Sequence, residues 1–306
     1  MAKSKSRPDQ AVVVSTYAEL EQHARAFAGG FLNFLLVLGT AGLGKSRAIR
    51  HALGPDVCWI DGNASPFGIY QTAYENRGKA IVLDDVDGLY RDRQGIRLLK
   101  SLCQTETLKA LSWESNATAL EARGIPRRFT TTSPLALIAN RWTTANEDVA
   151  ALEDRGHMIH FDPSPLEIHL NAAEWFWDQE VFDFVGSHMH LARRHSLRSY
   201  YLAYEQKRAG LDWKGNFLGR CLAGPALAVA KLKTDASFAK EEDRARAFVA
   251  AGHGCRATYF SHARKLCAAV NVPWLMLTAT PPATESQPEL EIEQILRRRD
   301  GEPGTD

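Results

Sequence analysis

The chain has 306 residues, 45% of them hydrophobic and 24% charged, which suffices for one large domain or two modest ones with real cores. Its formal net charge of +1 excludes a whole-molecule attraction to nucleic acid, so any basic surface has to be local. No signal-peptide pattern and no apolar run of membrane-spanning length occurs, so a cytoplasmic protein with no membrane partner is expected.

Residues 1–15 open with Met1-Ala2-Lys3-Ser4-Lys5-Ser6-Arg7-Pro8 and read as a short basic tail. Thr16 followed by Glu19 is a capping box that opens a helix through Ala18, Leu20, Ala24 and Phe27, ending at Gly29-Gly30. The apolar run Phe31 to Leu38 reads as a buried strand, and Arg47 to Leu53 as a helix. A second strand is expected over Val57–Asp61, a helix over Phe67–Asn76, and a third strand over Ala80–Asp85, ending in acids. A helix follows over Gly95–Cys103, then strands over Leu135–Asn140 and His157–Phe161. Strands alternating with helices argue for a parallel α/β sheet.

Asp162-Pro163-Ser164-Pro165 is a break, after which the pattern turns helical and aromatic. A second break is expected over Gly210–Gly215, and a further helical region runs to about Leu277. From Thr278 the chain is rich in Pro, Glu and Arg and poor in apolar residues, as a disordered tail is. Within it, Glu289 to Leu296 could form a helical turn or two. The expected organisation is a tail (1–15), an α/β domain (16–163), a helical region (164–215), a small helical domain (216–277) and a second tail (278–306). Cys58, Cys103, Cys221, Cys255 and Cys267 have no metal spacing and read as reduced thiols. His188-Met189-His190 lacks partner ligands and reads as incidental.

Between the first strand and its helix stands Gly39-Thr40-Ala41-Gly42-Leu43-Gly44-Lys45-Ser46, which is G-x-x-x-x-G-K-[ST] without departure. The glycines let backbone N–H groups turn inward toward phosphate oxygens, Lys45 reaches the β/γ-phosphates, and Ser46 offers a hydroxyl to Mg²⁺. The helix that follows presents its positive end to the same phosphates. ATP and Mg²⁺ are the expected cofactors. Asp84, at the end of an apolar strand, suits the Mg²⁺ shell, and Asp85 suits orienting or deprotonating the attacking water.

Leu83-Asp84-Asp85-Val86-Asp87-Gly88-Leu89 resembles the Walker B stretch of AAA+ ATPases, with aspartate where the family has glutamate as the second acid. The shorter arm bears on the hydrolysis rate rather than on nucleotide binding. The resemblance extends over about Phe31 to Arg208 and implies further roles. Asn140 stands where the sensor 1 residue helps to position the lytic water. Ala150 to Gly156 resembles the segment carrying the arginine finger; Arg155 is the residue it implies, with Arg127, Arg128 and Arg141 as competitors. Arg198 is similar to the sensor 2 arginine of the lid. No single subfamily fits, although the acid strand resembles that of clamp loaders, origin-recognition proteins and helicase loaders.

Two regions carry candidate nucleic-acid contacts. Ala110–Ser115 and Arg128–Thr132 can pair as a β-hairpin whose connection holds Arg123 and Arg127; with Arg128 these suit a phosphate backbone if the loop faces a ring pore. Glu241–Ala251, the turn Gly252-His253-Gly254 and Cys255–Leu266 resemble a helix-turn-helix, in which Arg256 and Thr258 would approach bases and Arg264 and Lys265 phosphates. The expected function is an oligomeric, ATP-dependent, DNA-associated motor, loader or regulator of replication or transposition. A remodeller of a protein client and a slow nucleotide-gated switch are the alternatives.

Overall fold

The computed structural model describes residues 10–86, 88–89, 92–115, 117–142, 147–174, 176, 178–192 and 194–268. The chain divides into two units, 1–164 and 165–306. The expected tail helix at Glu289–Leu296 lies outside the described residues.

The first unit is built on a six-stranded sheet. Its strands are β1 (Val12–Val14), β2 (Phe34–Leu38), β3 (Cys58–Asp61), β4 (Ile81–Asp84), β7 (Leu135–Ala139) and β8 (His157–Phe161), and every pairing in it is parallel. The spatial order is β1-β8-β2-β7-β4-β3. Strands β2 and β7 are buried along their whole length, as befits a parallel sheet covered on both faces. That is why they read as continuous apolar runs rather than as alternating patterns. β1 falls inside the stretch expected to be a basic tail: Val14 packs inward, while Val12 and Val13 stay exposed along the sheet's edge.

The helices α1 (Tyr17–Ala28), α2 (Lys45–Leu53), α3 (Pro66–Glu75), α4 (Arg93–Leu102) and α6 (Glu147–Glu153) alternate with these strands. The capping box at the start of α1 forms as read: Thr16 Oγ1 accepts from the Glu19 N–H, and Glu19 accepts from the Thr16 N–H. Strand β2 begins three residues later than its apolar run. Gly30 turns with φ 74°, the Phe31 N–H closes that turn on the Ala26 carbonyl, and the Phe31 ring is left 84% exposed.

The expected hairpin forms between β5 (Lys109–Ser112) and β6 (Arg128–Thr131), antiparallel and separate from the main sheet. Its connection carries a one-turn helix, α5 (Ala117–Glu121). Lys109 is fully buried and forms no ion pair among the described residues; its ammonium donates to the Ser133 carbonyl at 2.7 Å, and burial holds its pKa below the ordinary lysine value. It ties the hairpin to the residues just before β7.

The second unit is helical: α7 (Pro165–Ala173), α8 (Gln179–His188), a 3₁₀ turn (Met189–Leu191), α9 (Arg198–Arg208), α10 (Trp213–Cys221), α11 (Gly224–Thr234), α12 (Glu241–Ala250) and α13 (Arg256–Ala268). The break expected over Gly210–Gly215 is shorter than it reads. Asp212 caps α10 by accepting from the Gly215 N–H at 2.9 Å, so Gly215 lies inside a helix and a domain boundary at 215/216 would cut α10. Phe248, Tyr259, Val229, Ala245 and Ala263 form a core shared by α11, α12 and α13.

Candidate nucleotide-binding site

The loop Gly39–Ser46 joins the end of β2 to the start of α2. Gly42 and Gly44 adopt φ of 86° and 73°, in the left-handed region that favours glycine. Gly39 is required for a different reason: a Cβ there would stand 2.6 Å from the Phe161 carbonyl at the end of β8. The loop is also held from outside. The buried Tyr17 of α1 donates its hydroxyl to the Leu43 carbonyl at 2.7 Å, and its ring packs edge-on against Phe161.

Lys45 is 5% exposed. Its ammonium donates to the carbonyls of Gly39 (2.8 Å) and Thr40 (3.0 Å) and to Asn140 Oδ1 (3.0 Å). Asn140 Nδ2 in turn donates to Asp85 Oδ1 at 2.6 Å. Lysine only donates and carboxylate only accepts, so the orientation of the Asn140 amide is fixed by its neighbours. The sheet order explains the meeting. β7 lies between β2, which leads into the loop, and β4, which ends in the acids. The residue just past β7 therefore bridges them.

Ser46 hydrogen-bonds Asp84, and both groups lie beside Lys45. Asp84 is 6% exposed, and its Oδ1 is buried without a hydrogen-bond partner. Burial pushes its pKa above the ordinary carboxylate value. The Ser46 bond opposes this, Asp85 and Asp61 add to it, and Lys45 opposes it. Asp85 follows β4 in a left-handed turn with φ 53°, which aspartate tolerates better than branched residues do. Its N–H bonds the Ile138 carbonyl, so its carboxylate is exposed but its backbone is pinned to β7.

A hydroxyl and an orphaned buried carboxylate oxygen form a hard oxygen donor set that fits Mg²⁺. Among the described residues no cluster of three or more His, Cys, Asp or Glu could hold a metal alone. The fit agrees with this, because Mg²⁺ in such sites takes one or two protein oxygens and completes its shell with phosphate and water.

The first unit is a parallel α/β sheet that carries a P-loop. A parallel sheet carries the loop on one strand, the acid pair on another, and a polar residue between them that bonds to both.

No protein-family model matches the chain. A curated relative, the uncharacterized 36.7 kDa protein in the nrdC–mobD intergenic region of Enterobacteria phage T4, is 28% identical over 120 residues. That segment spans 36% of this chain and 37% of the relative, little more than a third of each. Among solved structures, a RuvB variant of Thermotoga maritima superposes with a TM-score of 0.39 at 12% identity, over 81% of this chain and 85% of that one. The Bacillus subtilis DNA clamp loader delta protein gives 0.29 at 9% identity, over 95% and 96%.

A residue that no motif marks also joins the site. Asp61 ends β3 in register with Asp84. It accepts from Arg50 of α2 at 3.3 Å and from the Trp59 indole N–H, while the Arg50 guanidinium lies 4.3 Å over the Trp59 ring. Ser46 and Arg50 are one helical turn apart, so α2 grips two neighbouring strands through two acids. An acid at the end of a strand parallel to β4 was the available signal.

The remaining candidates have these surroundings. Arg155 donates from Nη1 to the Lys100 carbonyl at 2.7 Å, within its own chain. Arg198 begins α9 in the second unit, exposed. Arg127 pairs with Glu121 and Arg128 with Glu114, and Arg123 donates to Gln71 Oε1 at 3.2 Å. Arg256 binds Glu242 through two nitrogens, at 2.7 and 3.0 Å. Thr258 Oγ1 lies 3.3 Å from the Cys255 sulfur. Arg264 and Lys265 are exposed on α13 and form no ion pair among the described residues.

Proposed function

We propose that the chain binds Mg²⁺–ATP at the loop Gly39–Ser46 and hydrolyses it at the interface of a homo-oligomeric ring or filament that works on DNA. The observation that carries the ATPase part is the hydrogen-bonded line Lys45–Asn140–Asp85. Lys45 compensates the β/γ-phosphate charge. Asn140 holds Asp85 by one carboxylate oxygen and leaves Oδ2 for the attacking water, which Asp85 orients or deprotonates. Ser46 and Asp84 would hold the Mg²⁺, which would supply neutralisation of the phosphate charge. Arg155 of a neighbouring copy and Arg198 would stabilise the charge that develops on the transferring phosphoryl group.

The DNA part rests on local charge. Arg264 and Lys265 of α13 and Arg123 beside the hairpin supply it, Thr258 adds a hydroxyl near the start of α13, and Arg127, Arg128 and Arg256 would have to exchange a carboxylate for a phosphate. That cost favours a second reading, remodelling of a protein client, because three of the arginines are already neutralised. ATPase rates with and without single- and double-stranded DNA, together with the mass of the assembly in ATP, test both. DNA-stimulated turnover by an ATP-dependent oligomer is expected. Arg264→Ala and Lys265→Ala should each lower the slope of log affinity against log salt by about one unit. An absence of DNA binding at low salt with ATP and Mg²⁺ leaves the remodeller reading.

A further inference from the structure

We infer that the groove between α4 and the free edge of β5 docks an extended segment of a partner protein, one in which an apolar residue stands between two acidic ones. The groove lies wholly within the first unit and has a volume of about 340 Å³. One wall is a stripe of α4, Gln94, Arg97, Leu98 and Ser101, at helical spacing. The other is the consecutive run Ser112 to Ser115. Seven helical steps and three strand steps each cover about 10 Å, so the two walls match a segment of three or four residues.

That edge is unpaired. Among the described residues β5 pairs with β6 alone. The Trp113 N–H crosses to the Arg127 carbonyl at 2.8 Å. By alternation, Ser112 and Glu114 turn both their N–H and C=O groups away from β6. Burial alternates along the same run: Leu111 and Trp113 are buried, Ser112 and Glu114 exposed. An added strand therefore sets one parity inward against Leu98 and Trp113, both buried, and the other outward beside Gln94 and Arg97, both exposed. Trp113 is 8% exposed and its indole N–H has no partner, so this wall holds a polar group that the fold leaves unmet.

Charge and hydrogen-bonding type select the occupant. Arg97 forms no ion pair among the described residues. Asp148 is engaged by Lys100 at 2.8 Å, which holds its carboxyl below the usual range, and Arg97 and Arg93 add to the effect, so this side of α4 is electropositive. Glu114, the acid of the groove itself, is paired with Arg128 at 2.9 Å. Acidic side chains on the outward parity answer Arg97, and an apolar one on the inward parity answers Leu98 and Trp113. A nucleic-acid backbone would answer the charge but not the edge, because a phosphodiester has no donor for the Ser112 and Glu114 carbonyls. A peptide brings a donor and an acceptor with each residue. The groove uses no residue of the nucleotide site.

Amide hydrogen exchange on the full-length chain tests it, with the synthetic peptide Glu-Val-Glu-Val-Glu, blocked at both ends, as the probe. At ten times its Kd, read from titration of the amide shifts, the peptide should slow exchange at the Ser112 and Glu114 amides about tenfold. Arg97→Glu should abolish this slowing and confer it on Lys-Val-Lys-Val-Lys. Arg97→Gln should weaken the acidic peptide without that reversal, and circular dichroism and Tm check that both variants remain folded. The reordered peptide Glu-Glu-Glu-Val-Val and a fully N-methylated form of the probe should leave both amides unprotected. Unchanged exchange at both amides up to the solubility limit of the alternating peptide would overturn the proposal. Equal slowing by the reordered or the N-methylated peptide would also overturn it, since charge alone would then suffice. Slowing by an oligothymidylate in place of the peptide would overturn it in favour of nucleic acid.

Discussion

At the residue scale, the site concentrates opposite charges whose burial has a measurable cost. Lys45→Ala removes the ammonium that faces the β/γ-phosphates, so ATP affinity should fall on the order of a hundredfold or more. Isothermal titration checks this, and unchanged affinity would sink the P-loop reading. Asp84 and Asp85 should separate. Asp85→Asn is expected to keep ATP affinity and lose most turnover, since an amide cannot take a proton from water. Asp84→Asn is expected to weaken Mg²⁺-dependent binding. Its effect on stability runs the other way. The folded-state pKa of Asp84 is raised, so the folded state holds its proton above the pH at which the unfolded chain releases it. Stability therefore falls as pH rises through that window, and the charged form at neutral pH is a burden on the fold. Asp84→Asn without Mg²⁺ should have a higher Tm than the parent chain at pH 7 and a smaller gain on adding Mg²⁺–ATP. A lower Tm would mean that the Ser46 bond outweighs desolvation.

At the element scale, the loop is shaped by contacts that its own motif does not contain. Tyr17 reaches it from α1, and the Phe161 carbonyl limits residue 39 to glycine. Tyr17→Phe leaves the ring in place and the Leu43 carbonyl without its donor. A cost of about 1 kcal/mol, read as a fall in denaturation midpoint, is expected together with weaker nucleotide binding. Unaltered affinity with lowered stability would confine Tyr17 to support of the fold. Asp84 and Asp61 dock α2 through Ser46 and Arg50, which couples the Ser46–Asp84 pair to the sheet's outer strand. The helices and strands of the first unit were largely legible in the sequence, because apolar period and capping residues are local. β1 was not legible: three valines after a basic segment become a strand only because β8 offers an edge.

At the scale of the whole molecule, the two units respond to different variables. The second holds a pH-sensitive core. His169 stacks on Phe182 at 4.0 Å, bonds the Tyr200 hydroxyl at 2.7 Å, and is pushed down to about 4, chiefly by burial. His188, His190 and His195 are lowered as well. Each lowered pKa adds stability that is present above the unfolded value of about 6.5 and is lost as pH falls below it, for His169 toward 4. His169 alone accounts for roughly 3 kcal/mol across that window. Urea unfolding at pH 7, 5.5 and 4.5 should show the decline, and His169→Gln should flatten part of it. Between copies, Arg155 is the test. Mixing Arg155→Ala with Lys45→Ala protein should recover ATPase activity if the arginine acts in trans, since mixed interfaces then contain complete sites. Its bond to the Lys100 carbonyl is within one chain, so failure of rescue in exchanging assemblies would leave it a structural residue.

The sequence by itself determined the loop Gly39–Ser46 and the acid pair, because each is contiguous and its chemistry needs only a local backbone path. It also fixed the strand–helix alternation of the sheet. Only the tertiary structure decided which groups meet: Lys45 and Asn140 lie 95 positions apart and Asn140 and Asp85 lie 55 apart, joined by placing β7 between β2 and β4. Asp61 entered the site in the same way, through strand register, and Tyr17 through the packing of α1. The arginines marked for nucleic acid show the converse. Their number was plain in the sequence, but whether each carries a free charge depended on a carboxylate brought beside it by a hairpin or a helix turn. Local periodicity carries no information about pairing at such separations; the order of strands and the docking of helices supply it.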